Sequence, residues 1–337
     1  MTYTFVNEVA IRGIAAAVPQ TARANIDIGT GEDRDYVEKL SAMVGVHERR
    51  VVAAGQHGSD LALAAVRSLL DRLDWDPATI DLLVVATQTP DRLFPGIAFS
   101  LHRQLGLSQR APVFDVNLGC SAFTHGLWIA SSLLRGVGTR AVLVNADTMS
   151  RTLGPTDWGN QVLFGDAGTA TALELDATAS PIHAVLMSDG KGTEAVCFPD
   201  SAMSASPDRL PAFIINGPAV LGLALRSVPR LITEALEATG LDLEDIGLFV
   251  PHQANRFILA KLVARLGLDS TKVVGAMDSF GNTSSASIPL ALCARSDQAA
   301  RCDRSHTLLV GFGTGFSLSA VIADLRGTVL VAPSDVA

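Results

Sequence analysis

Two stretches from the first half of this 337-residue chain return in the second half at nearly one spacing. LDWDPATIDLLVVATQT (73–89) and LDLEDIGLFVPHQ (241–253) both read as a helix end, a short loop and a buried strand, with Asp81 matching Asp245. RAVLVNADT (140–148) and HTLLVGFGT (306–314) are both apolar strands running into a turn of small residues. The offsets, 164 and 166, are close to half the chain. One match this short arises by chance; two at nearly one offset favour a duplication. A duplicated α/β chain of this kind folds as two halves that face each other, each packing a sheet between helices. We draw them at 1–175 and 176–337, with a short C-terminal tail after about Leu325 expected to be an appendage.

The composition suits such a core. Hydrophobic residues make up 48% and charged residues 18%, while aromatics are only 5%, so Ala, Val, Leu and Ile must fill the interior. A net charge of −8 without any basic tract argues against nucleic acid as a partner. The four cysteines (Cys120, Cys197, Cys293, Cys302) show neither CxxC nor zinc-ligand spacing, which disfavours a metal site or a disulfide framework and points to a reducing compartment. No apolar signal-peptide core follows the N-terminus. The uncharged run Val116–Leu134 is long enough to span a bilayer, yet it carries Asn117, Ser121, Thr124, His125, Ser131 and Ser132 and reads as a buried helix. The expectation is a cytoplasmic protein with no membrane segment.

Strands are expected at 113–117, 141–146, 248–251 and 307–312, where short apolar runs are bounded by Gly, Pro or Asp. Helical periodicity predicts helices over 59–73, capped by Ser59 or Asp60, and over 120–136, ending at Gly136. Two more are expected near 221–239 and 254–266, closed by Gly240 and Gly267. GDAGTA (165–170) reads as a turn, and 188–211 as a mobile segment crossing between the halves. GFGTGFSL (311–318) is followed by another strand, so it reads as a bend carrying backbone N–H groups to a site rather than a phosphate loop.

Three residues carry the chemistry. Cys120 follows a strand and a glycine and adjoins a helix start, where free N–H groups and the helix dipole favour a thiolate. His252 stands at the end of a buried strand broken by Pro251, a common catalytic position in α/β folds. Asn282 lies in the Gly-Asn turn of SFGNTSSASIP. The other histidines read as satisfied structural residues. A Cys, a His and an Asn on strand-adjoining turns fit two reactions: a papain-like hydrolase, and a condensing enzyme that carries an acyl group on sulfur.

At these residues the chain resembles the beta-ketoacyl-acyl-carrier-protein synthase III family of the thiolase-like superfamily. GVHERRV (45–51), LFPG (93–96), DVNLGCSAF (115–123), GPTDWGNQVLFGDAG (154–168), VPHQANR (250–256), FGNTSSASIP (280–289) and GFGTGF (311–316) carry the resemblance. It implies a duplicated thiolase-like fold layered αβαβα. It also implies that Cys120 takes an acyl group from a primer thioester, and that His252 and Asn282 bind the thioester oxygen of a malonyl extender. The backbone N–H groups of Cys120 and Thr314 would form the oxyanion hole. Phe94 would close the acyl pocket of a neighbouring subunit, implying a homodimer, and Gly217 and Ala254 would line the pantetheine tunnel. Arg256 belongs with the substrate-binding set. Trp158 stands where the family has an arginine, offering an indole face to an adenine but no cation to phosphates. That departure gives weight to a carrier-bound or unusual primer.

No cofactor is implied; coenzyme A or acyl-carrier phosphopantetheine thioesters are substrates, and an acyl-carrier protein is the partner. Alternatives within the fold are O-acylation, the joining of two carrier-bound chains, or a non-catalytic partner subunit. The peptidase reading is disfavoured because Cys120 lies deep inside a duplicated α/β chain.

Overall fold

Runs of branched apolar residues form the strands of two sheets in a computed structural model, which describes residues 1–29, 33–205 and 212–337. The first sheet has the order β15 (Val329–Val336), β2 (Val9–Pro19), β8 (Asp166–Leu175), β7 (Arg140–Thr148), β5 (Leu82–Ala86) and β6 (Val113–Val116). The second runs β1 (Thr2–Val6), β9 (Ile182–Ser188), β14 (Ser317–Ala323), β13 (Thr307–Gly313) and β12 (Leu248–Pro251). Two small pairs stand apart, β3 (Ala22–Ala24) with β4 (Glu48–Arg50) and β10 (Val196–Cys197) with β11 (Ile214–Ile215).

The two sheets repeat one topology. In the first, β2 is antiparallel to β8, β8 antiparallel to β7, and β7 parallel to β5. In the second, β9, β14, β13 and β12 follow the same pattern. The repeated sequence pieces therefore fall on equivalent strands, β5 with β12 and β7 with β13.

Burial sorts the helices into layers. Helices Gly58–Leu73 and Ile97–Leu105 cover the outer face of the first sheet, contributing Leu69 and Leu101 to a core with Val142 and Val144. Helix Gly217–Thr239 and helix Arg256–Leu266 cover the outer face of the second, with Leu231 and Leu262 against Leu308 and Val310. Helices Ala122–Val137 and Ser287–Ala294 fill the space between the sheets, where Phe123, Leu127 and Leu290 meet residues of both. This is the layered αβαβα sandwich of a thiolase-like fold.

Several local expectations are corrected. The tail is no appendage: β15 pairs in parallel with β2 at the edge of the first sheet, and Val336 O accepts from Gln20 N at 2.8 Å. Conversely β1 belongs to the second sheet. Each half, as drawn at 1–175 and 176–337, thus holds a strand of the other's sheet. GDAGTA is the start of β8, because its small residues let that strand lie under the Gly58–Leu73 helix. That helix begins at Gly58, with the Asp60 carboxylate accepting the His57 N–H at 2.8 Å. The helix after Cys120 runs past Gly136 and is closed by Gly138, whose N–H reaches Leu134 O. Within the expected crossing segment 188–211, the described part folds as two short 3-10 turns, Gly190–Ala195 and Ala202–Ser204, with β10 between them; residues 206–211 lie outside the described residues. The bend and following strand read from GFGTGFSL are present as Thr314–Phe316 and β14.

A side chain at Gly168 would place its Cβ 2.5 Å from the Leu61 carbonyl carbon and 2.7 Å from Ala62 N, both backbone atoms. We expect Gly168→Ala to lower stability by about 1–3 kcal/mol in urea denaturation. Gly136→Ala, on an open helical face with nothing within 4 Å, should instead raise it by about 0.5–1 kcal/mol.

Candidate active site

The strand ends bring the chemistry to one place. β6 leads to Cys120, β12 to His252, β13 to Thr314, and the loop after helix Met277–Phe280 carries Asn282. Cys120, His252, Asn282, Thr314 and Ala254 all line one small cavity of about 60 Å³. Leu163, Phe164, Ile215, Val220 and Phe312 give it apolar walls.

Cys120 packs directly against the second half. A Cβ at Gly313 would lie 2.9 Å from its Sγ, so only glycine lets β13 approach this closely. The backbone N–H groups of Thr314 and of Cys120 itself, together with the Ser284 side chain, favour the thiolate. They are outweighed. Desolvation, with the Asp147 carboxylate adding to it, pushes the thiol up to about 12. The expected thiolate at the helix start is therefore corrected to a protonated thiol in the resting protein, because burial costs the charge more than the N-terminal amides return.

His252 is 1% exposed and its backbone N–H donates to Val310 O at 2.7 Å, which fixes the main chain at the end of β12. Its Nδ1 lies 2.7 Å from Ser287 Oγ, and its ring packs edge-on against Phe312. Burial lowers its pKa to about 3, so the imidazole is neutral. Asn282 is strapped by backbone bonds on both sides: its N–H donates to Leu163 O at 2.8 Å and its carbonyl accepts from Gly165 N at 3.2 Å. Gly281, at φ 68°, makes that approach possible, since a Cβ there would lie 2.5 Å from Leu163 O. Ser284 N donates to Asn282 Oδ1 at 2.9 Å, which fixes the amide with Nδ2 as its donor side. One Nδ2 hydrogen faces Ala254 O at 3.4 Å.

The remaining sequence candidates lie elsewhere. Gly217 opens its helix outside the cavity, and Val220 one turn on takes the lining position. Trp158 lines a separate depression of about 420 Å³ together with Arg23 and Arg49. Arg256 packs its side chain over Gly45 and donates to Ala42 O, on a different groove. Phe94 is 81% exposed and is not among the residues that line these cavities. His125, buried behind Cys120, places Nδ1 3.0 Å from Ser121 O and 2.9 Å from Ser319 Oγ, as a satisfied core histidine would.

Two residues went unread in the sequence. Asp147, fully buried at the end of β7, accepts from Thr87 Oγ1, Gln88 N and Thr89 N with Oδ1, and from Ser285 N with Oδ2. It joins the loop beside Cys120 to the turn that holds Asn282. Its only signal was an aspartate closing an apolar strand. Arg49, 5% exposed, donates to Asn25 Oδ1 at 2.7 Å and to Phe164 O at 3.3 Å, bracing the segment on which Asn282 is strapped.

Two family profiles match: 3-Oxoacyl-[acyl-carrier-protein (ACP)] synthase III over residues 114–190, and the C-terminal part of the same family over 236–325. A beta-ketoacyl-[acyl-carrier-protein] synthase III from Neisseria meningitidis is 34% identical over 315 residues, covering 93% of this chain and 98% of the relative. A crystal structure of a 3-oxoacyl-(acyl-carrier protein) synthase from Burkholderia xenovorans superposes with a TM-score of 0.94 at 29% identity, over 99% of each chain. The priming beta-ketosynthase of the R1128 polyketide biosynthetic pathway superposes at 0.84 with 29% identity, over 94% of this chain and 96% of that one. No helix among the described residues is long and apolar enough to cross a membrane.

Two pH experiments test the electrostatics. Alkylation of Cys120 by iodoacetamide should rise about tenfold per pH unit from 7 to 10 without a plateau, given a thiol pushed up to about 12. Asp147→Asn should move that profile to lower pH; an unmoved profile would sink the assignment. For His252 the folded value, about 3, lies below the ordinary 6.5, so its contribution to stability is complete above pH 6.5 and is lost as pH falls toward 3. His252→Gln should therefore show a shallower loss of urea stability across that window than the parent chain.

Proposed function

The chain belongs to the beta-ketoacyl-[acyl-carrier-protein] synthase III family of condensing enzymes, and on that footing we propose that it joins an acyl primer to a malonyl-type extender through Cys120, His252 and Asn282. The observation that carries this is the shared cavity, lined by Cys120, His252 and Asn282 among apolar walls.

The reaction divides into two stages. In the first, Cys120 sulfur attacks the carbonyl carbon of the primer thioester, and the N–H groups of Cys120 and Thr314 hold the developing oxyanion. The carbonyl carbon's bond to the donor sulfur breaks, and the Cys120 proton leaves with the donor thiol. A protonated resting thiol suits this exchange, since the proton is needed on the departing sulfur.

In the second, the extender's carbon–carboxylate bond breaks and carbon dioxide departs, leaving its electron pair on the thioester enolate. That oxygen needs hydrogen-bond donors and no base. His252 supplies one when Ser287 Oγ–H donates to Nδ1 and leaves the ring proton on Nε2. The Asn282 Nδ2 hydrogen not directed at Ala254 O supplies the other. The low pKa of His252 keeps it a neutral donor through the cycle. The carbanion then attacks the Cys120 thioester, and the released sulfur takes a proton as the 3-oxoacyl thioester leaves.

Ala254, Val220 and Ile215 give the extender's pantetheine arm an apolar approach. Trp158 and Arg256, in two depressions apart from the cavity, are assigned to the donor's far end, and Gly217 to the start of the helix that carries Val220. The donor is a carrier-protein or coenzyme A thioester, with an acyl-carrier protein as partner. Phe94, bare on the surface, fits a side chain that reaches into a second copy, so we take the working form to be a homodimer acting in the cytoplasm.

Cys120→Ala should abolish acyl loading, read by intact mass, while malonyl decarboxylation persists. His252→Ala should keep loading and lose decarboxylation by about two orders of magnitude. Loss of both activities in each folded variant would defeat these roles.

A further inference from the structure

The turn that carries Asn282 continues into a residue to which the steps above give no task. Ser284 opens the short 3-10 turn Ser284–Ala286 with φ at 51°, in the left-handed region that side chains other than Asn and Asp seldom enter. Bonds on both sides hold it there: its own N–H donates to Asn282 Oδ1 at 2.9 Å, and the N–H of Ser285 donates to Asp147 Oδ2 at 3.0 Å. Glycine would take this conformation without strain, and the same loop uses glycine at 281, where φ is 68°. A serine at such a position points to work done by its side chain.

Ser284 is 2% exposed, and its hydroxyl has one partner among the described residues, the Cys120 sulfur. The flanking hydroxyls differ: Thr283 Oγ1 and Ser285 Oγ are buried without a partner among the described residues. Two further groups bond the sulfur at rest, the backbone N–H groups of Cys120 and Thr314. These are the donors assigned above to the developing oxyanion. Once they turn to the thioester oxygen, the Ser284 hydroxyl is the donor that stays on sulfur, in a site where burial penalises the charge that sulfur must carry.

We propose that Ser284 is a catalytic residue, whose hydroxyl donates to the Cys120 sulfur while that sulfur carries charge. The inference rests on the acyl-transfer reading given above. In loading, the Cys120 sulfur–carbon bond forms, the donor's breaks, and the thiol proton goes to the donor sulfur; Ser284 keeps its own proton throughout. After condensation the Cys120 sulfur–carbon bond breaks, the sulfur takes the electron pair, and Ser284 holds it until a proton arrives. A hydrogen bond to the charged form changes a group's acidity about ten- to hundredfold. The thiolate gained outweighs the reactivity lost, which falls about half as steeply.

The test uses the intact chain and two variants. Ser284→Ala removes the hydroxyl and keeps the Cβ; Ser284→Gly removes both and suits φ 51°, so it folds at least as well as the parent. Both should load acyl groups from acetyl, butanoyl and hexanoyl coenzyme A about three- to tenfold more slowly than the parent, read by intact mass. Alkylation of Cys120 by iodoacetamide at pH 8, which involves no thioester, should slow by a similar factor. Malonyl decarboxylation without primer uses no sulfur and should not fall in step with loading. Loading or alkylation at the parent rate in either variant overturns this inference while the acyl-transfer reading stands. A decarboxylation that drops as far as loading does the same, because Ser284 would then act only by holding Asn282. Absence of any acyl adduct on the folded parent chain overturns both.

Discussion

The approach on which the site rests is made where β13 passes the start of the helix behind Cys120, and it depends on Gly313 having no side chain. Around that contact the interface becomes polar. Ser121 Oγ lies 2.6 Å from Ser317 Oγ, Thr124 meets Ser319, and His125 bonds both the Ser121 carbonyl and Ser319. These buried bonds join a helix of one half to a strand of the other and leave little freedom to slide, since each broken pair would strand a polar atom in an apolar interior. The nucleophile comes from one half and the imidazole and carboxamide from the other, so their mutual placement is only as firm as this seam.

Electrostatics follow from the same burial. The groups that gather around the thiol would lower its pKa in water; in the packed site they do not offset the desolvation penalty and the Asp147 charge. The imidazole is neutral for the same reason. The site therefore holds donors without net charge. That is what a thioester oxygen needs as negative charge builds on it, and what a resting thiol needs to avoid reaction with stray electrophiles.

Much of this was legible in the sequence because it is local. The breaks at Gly119 and Pro251, at the ends of strands, and at Gly281, at the end of the helix Met277–Phe280, mark where regular structure stops, and the functional residues follow each break. The repeat at offsets 164 and 166 revealed the paired sheets. What escaped was decided by distant partners. GDAGTA has the residues of a turn, but Leu61 and Ala62 lie so close above it that only a flat, small strand fits. The role of Asp147 depends on Ser285, which lies 138 residues away. Trp158 and Gly217 were placed by motif order, which gives a neighbourhood but not the wall of a cavity. The burial that silences the thiol is a property of the packed whole.

The strands β1 and β15 each complete the sheet built mainly by the opposite half. During synthesis the first six-stranded sheet therefore lacks its border until residue 336 has left the ribosome, although its other strands are all made by residue 175. Until then β2 presents an open edge, able to pair with another chain's strand. Synthesis of the second half thus sets how long a nascent chain is exposed to aggregation, and swift completion or a chaperone over that edge would protect it.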